Sequence, residues 1–145
     1  MLYTANYTNC KGNICVSISG DRGKKVNFKG RTYPILAPRL NFWKIWYDNI
    51  GKISEEENTR YYIHEYYEQV LKKLDPYKVF DDLDNSVLLC YENEKEFCHR
   101  HLVAFWLEET LKINVDEVKT SPSGSLIKLD RPEYLRNLLL FEIKK

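Results

Sequence analysis

The 145-residue sequence lacks features that would point directly to a nucleic-acid or membrane partner. Its 22 basic and 21 acidic side chains leave a net charge of +1, which gives no long-range attraction to nucleic acid or to an anionic membrane. No apolar run approaches the length of a membrane span, and the opening residues do not resemble a signal peptide. We therefore expect a cytoplasmic protein without membrane association, whose four cysteines, Cys10, Cys15, Cys90 and Cys98, are reduced.

The sequence also lacks the signatures of several enzyme classes. It contains no Gly-x-Ser-x-Gly segment, so Ser-His-Asp catalysis has no support. The residue six positions after Cys90 is Glu96, whereas the cysteine-dependent phosphatase pattern requires arginine there. The glycines of residues 20–30 match no dinucleotide-binding or phosphate-loop fingerprint. These absences exclude the most easily recognised enzyme classes, and they do not indicate any other reaction.

No internal repeat, low-complexity tract or interdomain linker divides the chain. Its content of 43% hydrophobic and 30% charged residues is ordinary for a globular protein, and its length suits one domain with a real core. We therefore predict a single α/β domain over residues 1–145. A C-terminal helix at about residues 131–143 is predicted to pack on the body of this domain.

Apolar periodicity predicts a mixture of strands and helices. Strands are predicted at residues 2–7, 14–19, 87–89 and 114–118. Helices are predicted at residues 40–50, 59–74, 77–83 and 99–111. Residues 20–30 and the acidic residues 54–58 are predicted to be loops, and residues 33–38 an extended link stiffened by prolines. This order favours a small, mainly parallel sheet of about four strands.

The predicted helix at residues 40–50 is rich in aromatic side chains. Trp43, Trp46, Tyr47 and Ile50 recur at helical spacing and share one face. Aromatic residues in this pattern usually belong to the core, so we predict a buried face rather than a surface for stacking bases. In the next helix, His64 falls on the polar side and is predicted to be a surface residue.

Residues 86–111 are the most informative stretch about function, because their pattern predicts a buried strand, a polar loop and a helix in succession. In open parallel sheets, ligands bind beyond the carboxyl ends of the strands, where helix N-termini converge. The sequence therefore predicts a site at this edge, formed by residues 90–101.

The predicted site carries side chains suited to thiol chemistry. Cys98 lies near a helix N-terminus, where the dipole and free N–H groups favour a thiolate, and Arg100 or protonated His99 would add to that effect. Glu92 disfavours a nearby thiolate but can act as an acid or base. The catalytic candidates are Cys90, Glu92, Cys98 and His99, and the ligand-binding candidates are Arg100 and His101. Arg100 offers a planar donor fork for phosphate or carboxylate.

Several simpler interpretations stay open. Cys90 is as consistent with core packing as with function, and Arg100 could be a surface ion-pair partner of Glu108 or Glu96. The cysteine pair Cys10-x₄-Cys15, together with Cys90, Cys98 and His99, could supply zinc ligands, but neither spacing is the usual short knuckle. We therefore predict no metal and no cofactor. A disulfide is not expected in a reducing compartment.

The runs LLCYE, residues 88–92, and FCHRHLVAFWLEE, residues 97–109, resemble the signature of the domain-of-unknown-function 488 family. That signature has a cysteine two residues before a glutamate at a strand end, followed by Cys-His-Arg at a helix start. The opening YTANY, the segment VSIS and a later LAP also resemble its longer members. The resemblance implies a three-layer α/β/α sandwich, a small stand-alone cytoplasmic protein, and a common site for Cys90, Glu92, Cys98, His99 and Arg100. It implies no reaction, because the family is uncharacterised.

Two functional hypotheses follow. The first is an uncharacterised protein with an anionic-ligand site, for a nucleotide or another phosphate-bearing molecule, at the carboxyl edge of the sheet, where Cys90 or Cys98 could supply thiol chemistry. Whether the protein is an enzyme is left open. The alternative is a non-catalytic binding or regulatory module, whose partner would be a protein or a nucleic acid. Nucleic acid is supported only by the basic residues within 22–29, with Phe28 among them. The ligand, the strand order and the oligomeric state are left open.

Overall fold

The centre of the fold is a six-stranded sheet. The computed structural model describes residues 1–145. The strands are β1 (Leu2–Asn6), β2 (Cys15–Ser17), β3 (Arg31–Thr32), β4 (Val87–Cys90), β5 (Val115–Thr120) and β6 (Leu126–Lys128). Their order is β3-β2-β4-β1-β5-β6, and every neighbouring pair is parallel except β5 and β6. The predicted α/β class with a mainly parallel sheet is confirmed.

The sheet has two more strands than the sequence predicted. The additional strands, β3 and β6, contain two and three residues at the two edges of the sheet, and none of these residues is buried. Segments of two or three residues are too short to show apolar alternation. An edge strand also needs little burial, because the hydrogen bonds to its neighbour hold it in the sheet. The central strand β4, in contrast, is buried at every position, which explains the apolar run that identified it.

Five α-helices accompany the sheet. They are α1 (Leu40–Asn49), α2 (Glu55–Gln69), α3 (Pro76–Leu83), α4 (His99–Leu111) and α5 (Tyr134–Ile143), with single 3₁₀ turns at Lys24–Val26, Pro34–Leu36 and Leu71–Lys73. The prediction of an acidic loop at residues 54–58 was wrong. The Ser54 hydroxyl accepts a hydrogen bond from the Glu57 amide at 3.1 Å and caps α2, whose first turn carries three glutamates. Acidic side chains stabilise that end of a helix.

Helix α4 is buried more completely than its periodicity indicated. All nine residues from His99 to Leu107 are buried, including Arg100, which a surface ion pair would have left exposed. Helix α4 contacts β1, β4 and β5, and it also packs against α3 and α5. Because it lies between the sheet and these helices, α4 has no solvent-facing side over most of its length.

The side chains of the sheet divide into two clusters. Leu2, Val16, Leu88 and Val115 join the larger core on the side of α4. Their strand neighbours alternate to the other face and form a smaller cluster: Ala5, Tyr7, Cys10, Cys15, Val87, Leu89 and Val118. Phe28 and Tyr91, from two loops, pack against this smaller cluster.

The prediction that the aromatic face of α1 belongs to the core was wrong for most of that face, although Trp46 is partly buried and packs against the larger core. Trp43, Tyr47 and Ile50 are 36%, 58% and 57% exposed, and Phe42 is the only buried residue of α1. The C-terminal helix α5 packs on α2 and α4. His64 lies at the surface with its side chain 45% exposed, and its Nδ1 lies 2.7 Å from a carboxylate oxygen of Glu142. None of the helices combines the length and the apolar character that a membrane crossing requires.

Candidate functional site

A cavity of about 690 Å³ opens at the carboxyl edge of the sheet, where the loop between β4 and α4 begins and ends. Cys90 is the last residue of β4, Cys98 is the N-cap of α4, and His99 is the first residue of that helix. All three residues line the cavity, as does Glu92 from the intervening loop. Four of the six predicted site residues are therefore brought together where the parallel-sheet argument placed them.

The two thiols and the histidine form a compact cluster. His99 Nδ1 lies 3.6 Å from Cys90 Sγ and 4.0 Å from Cys98 Sγ. Each of the three residues offers a ligand or hydrogen-bonding atom within 4.8 Å of the other two. Adjacent residues in a chain need not face one another, but Cys98 does face His99 here because the chain changes from extended to helical between them.

The orientation of His99 is fixed by a hydrogen bond to Ile18, the residue that directly follows β2. Its Nε2 lies 2.8 Å from the backbone carbonyl oxygen of Ile18, and a carbonyl can only accept a hydrogen bond. The proton of the neutral ring is therefore on Nε2, which leaves Nδ1 facing the thiols. Nδ1 can accept an S–H proton from Cys90 or Cys98, and once protonated it stabilises a thiolate.

The two cysteines of the cluster have pKa values that are shifted in opposite directions. Burial alone would raise the pKa of Cys98, but the adjacent Cys90 thiol and the positive charge of Arg100 outweigh it and hold that pKa well below its usual value. The adjacent Cys98, together with burial, raises the pKa of Cys90 well above its usual value. Cys98 is therefore the more acidic thiol of the pair. The uncapped N-terminus of α4 favours the same assignment.

Glu92 is an unusual carboxyl group in this cavity. Burial, reinforced by the negative charge at Cys98, raises the pKa of Glu92 to about 8. A carboxyl with that pKa is protonated at neutral pH, so it can donate a proton where an ordinary glutamate cannot.

Arg100 and His101 lie outside the cavity. The Arg100 guanidinium is fully buried, and it donates from Nη2 and Nε to the carboxylate of Glu117 at 2.9 and 3.1 Å. The partner is neither Glu108 nor Glu96, so the interpretation of Arg100 as a surface ion-pair residue was wrong. His101 lies beside the same carboxylate, 3.8 Å away. Contact of Arg100 or His101 with a ligand stays a prediction, and in this structure both side chains face the buried carboxylate instead.

This buried polar group is incompletely hydrogen-bonded. Glu117 also accepts from the Thr4 hydroxyl at 2.7 Å, whereas Arg100 Nη1 and both ring nitrogens of His101 have no partner. Burial, with the nearby Arg100 charge, lowers the pKa of His101 to about 3, so its ring is neutral. The result is a buried ion pair behind Cys98, of which the positive member, Arg100, lowers the pKa of that thiol.

The walls of the cavity are mainly aromatic and apolar. They comprise Pro38, Leu40, Trp43, Trp46, Tyr47, Ile50, Tyr62, Tyr91 and Phe97. Trp43 and Tyr47 are stacked, with ring centroids 5.1 Å apart and planes inclined by 17°. Ser19, Gly20, Asp21 and Lys25 form a polar margin, in which Asp21 accepts a hydrogen bond from the Tyr91 hydroxyl. The exposed aromatic face of α1 is thus one wall of the cavity.

Sequence reasoning missed Glu117 and the aromatic wall. Glu117 follows Val115 by two residues in a strand, so the alternation placed a carboxylate on the buried face. A buried carboxylate needs a cationic partner, and that requirement was a usable signal. The aromatic wall left no such signal, because side chains lining a cavity have the same spacing as side chains of a core.

The three clustered side chains could also hold a metal ion, since two thiolates and an imidazole are soft ligands that suit zinc. The larger zinc set considered from the sequence is not assembled. Cys10 and Cys15 belong to the cluster on the other face of the sheet, whereas the side chain of Cys90 points towards α4.

Comparisons with known proteins identify the family. Neither a curated protein nor a solved structure matches the chain. A family model described as the active DUF488-N3 subclade, DUF488-N3a, matches residues 14–111. This match covers more than half of the sequence and includes every residue that lines the cavity. The resemblance seen in the Cys-x-Glu and Cys-His-Arg runs is therefore confirmed, and the chain belongs to the DUF488-N3a family.

Proposed function

We propose that this protein is a thiol-dependent enzyme that acts on a small ligand with a planar ring and an anionic group, as in a nucleotide or another phosphate-bearing metabolite. The observation that carries the proposal is the Cys90–Cys98–His99 cluster opening into an aromatic-walled cavity. A purely structural thiol pair gains nothing from facing such a space. Clusters that combine perturbed pKa values with a cavity are typical of catalytic sites.

In this proposal, Cys98 is the nucleophile. Its sulfur attacks an electrophilic centre of the bound ligand, and a bond to sulfur forms as the bond to the leaving group breaks. His99, held by the Ile18 carbonyl, presents Nδ1 to the sulfur and keeps it deprotonated. Protonated Glu92 donates its proton to the leaving group. Cys90, whose pKa is raised, keeps its proton beside Cys98.

The cavity walls support a planar ligand. Trp43 and Tyr47 offer ring faces that water would otherwise cover, and stacking a heterocycle on aromatic side chains is favourable by about 1–3 kcal/mol. The anionic group would be bound at the uncapped N-terminus of the 13-residue helix α4 and by Lys25. Arg100 would assist through its charge from behind the site.

Alkylation tests the proposal directly. Folded protein is treated with iodoacetamide across a range of pH, and modification of each cysteine is measured by peptide mass spectrometry. We expect Cys98 to react with a midpoint well below the ordinary thiol pKa of about 8.5. Nucleoside monophosphates at increasing concentration are expected to protect Cys98, and the His64→Ala variant, altered at a surface histidine outside the cavity, should behave as wild type.

Three outcomes separate the alternatives. If Cys98 stays unreactive until the protein unfolds, thiol catalysis is excluded. If Cys98 reacts at low pH but no anionic heterocycle protects it, the thiol assignment survives and the ligand class is wrong. If ligands bind equally well to the Cys98→Ser variant and no ligand is turned over by wild type, the protein is a non-catalytic binding module.

A further inference from the structure

A second pair of thiols lies on the opposite face of the sheet. Cys10 Sγ and Cys15 Sγ are 3.1 Å apart, and both residues are buried. A tight turn brings them together, since the Cys15 amide donates to the Gly12 carbonyl and Gly12 has a φ of +124°. The four residues between them, 11–14, are all exposed. The two sulfurs are thus pre-arranged under a short solvent-facing segment.

The surroundings of this pair are apolar and distinguish the two sulfurs. Tyr7, Ala5 and Val118 belong to the same cluster. The hydrogen bond from the Cys15 thiol lowers the pKa of Cys10 to about 7, against the opposing effect of burial. The pKa of Cys15 is raised by the same hydrogen bond and by burial. Cys10 therefore carries the more available thiolate.

We propose that Cys10 and Cys15 form a redox modification site that reacts with small-molecule disulfides such as oxidised glutathione. The Cys10 thiolate attacks one sulfur of the glutathione disulfide, forms a mixed disulfide and releases one glutathione thiolate. Cys15 then loses its proton to water and attacks the Cys10 sulfur, which releases the second glutathione thiolate. The protein dithiol is oxidised by two electrons, and one molecule of glutathione disulfide is reduced to two thiols.

The geometry makes the second step easy. The sulfurs need to approach by only about 1 Å to reach bonding distance. Because the sulfurs are buried, access for the first step comes from opening of the exposed segment at residues 11–14. Neither cysteine lines the cavity, so the reaction does not depend on the function proposed for Cys98.

The experiment equilibrates folded wild-type protein with mixtures of reduced and oxidised glutathione and quantifies each cysteine by peptide mass spectrometry. We expect the peptide containing Cys10 and Cys15 to lose two hydrogen atoms and to regain them when reduced glutathione is restored. In the Cys15→Ser variant, Cys10 should accumulate as the glutathione mixed disulfide. In the Cys10→Ser variant, Cys15 should form mixed disulfide about tenfold or more slowly.

The double variant Cys90→Ser/Cys98→Ser is the control, and oxidation of Cys10 and Cys15 should be unchanged in it. The proposal is overturned if both cysteines stay reduced in folded protein at every mixture and oxidise only in denaturant. It is also overturned if wild-type Cys10 stops at the mixed disulfide. Should a serine variant fail to fold, the time course in wild type decides, because mixed disulfide must appear on Cys10 before the internal disulfide.

Discussion

The two cysteine pairs lie on opposite faces of one sheet and differ in what surrounds them. Cys90 and Cys98 have an imidazole within 4.0 Å, a buried guanidinium behind them and a cavity in front. Cys10 and Cys15 have only each other and an apolar cluster. In both pairs the adjacent thiol lowers the pKa of one cysteine, so pairing alone does not distinguish them. What distinguishes the first pair is the supply of positive charge and of space for a ligand.

The largest effect is expected from the charge behind the first pair. Arg100→Met leaves the Glu117 carboxylate buried without its partner and should lower the free energy of unfolding by about 3–5 kcal/mol in urea titrations. The alkylation midpoint of Cys98 should rise, while that of Cys10 should not change. Arg60→Met breaks an exposed pair with Glu56 and should cost under about 1 kcal/mol.

The double variant Arg100→Met/Glu117→Leu separates stability from reactivity. It removes both charges, so most of the lost stability should return. Cys98 should nevertheless stay less reactive than in wild type, because the positive charge is gone. If Cys98 of this variant is alkylated at the same low pH as in wild type, the charge of Arg100 is not what distinguishes the Cys90–Cys98 pair from the Cys10–Cys15 pair.

The next effect concerns the imidazole that only the first pair possesses. In His99→Gln, the side-chain amide can still donate to the Ile18 carbonyl, but no titrating nitrogen faces the thiols. The alkylation midpoint of Cys98 should rise by about one pH unit, which corresponds to a shift of about one pKa unit. His64→Ala serves as the matched histidine control. A midpoint at Cys98 equal to that of wild type would assign its ionisation to Arg100 and the helix alone.

Glu92 should make the free energy of unfolding depend on pH, through a carboxyl group that lies beside the first pair and has no counterpart at the second. Its pKa is raised to about 8 in the folded protein, from 4.5 for an ordinary glutamate. Between these values the unfolded chain has lost the proton and the folded chain has kept it, so stability falls as pH rises, by up to about 1.4 kcal/mol per pH unit. Glu92→Gln should flatten this slope in urea titrations between pH 5 and 8. An unchanged slope would mean that Glu92 ionises normally.

The smallest effect on stability is expected at the cavity wall. Trp43→Ala removes a side chain that is 36% exposed and should change the free energy of unfolding by under about 1 kcal/mol. Protection of Cys98 by nucleoside monophosphates should weaken clearly, because the stacking surface is lost. Oxidation of Cys10 and Cys15 should not respond at all. A large loss of stability would instead indicate that Trp43 is a core residue after all.

Whether a contact could be predicted from the sequence depends on how far apart its residues lie along the chain. Cys90, Cys98 and His99 could be placed because one strand, one loop and one helix determine their meeting point. The partner of Arg100 could not be placed in the same way. Glu117 lies 17 residues further on, and it reaches Arg100 only because β5 pairs with β1 in a particular register. Periodicity describes a single element and carries no register between elements.

Other errors have different physical causes. The glutamates after Ser54 were read as a loop because of their charge, although a serine followed by acidic residues is also how a helix begins. The face of α1 was read as core because spacing reports which side chains point the same way and not what they point at. The strands β3 and β6 depend on hydrogen bonds to a neighbour, which a sequence pattern of two or three residues does not record.

The hydrogen bond from His99 to the Ile18 carbonyl makes this histidine a spectroscopic reporter of its own site. A ring with Nε2 held by a carbonyl has one pyrrole-like and one pyridine-like nitrogen, which ¹⁵N chemical shifts distinguish clearly. Proton uptake at Nδ1 would make the two nitrogens alike, and separation of α4 from the segment after β2 would let the tautomers exchange. Protonation of the site and movement of its walls are therefore readable, as two different changes, from a single side chain.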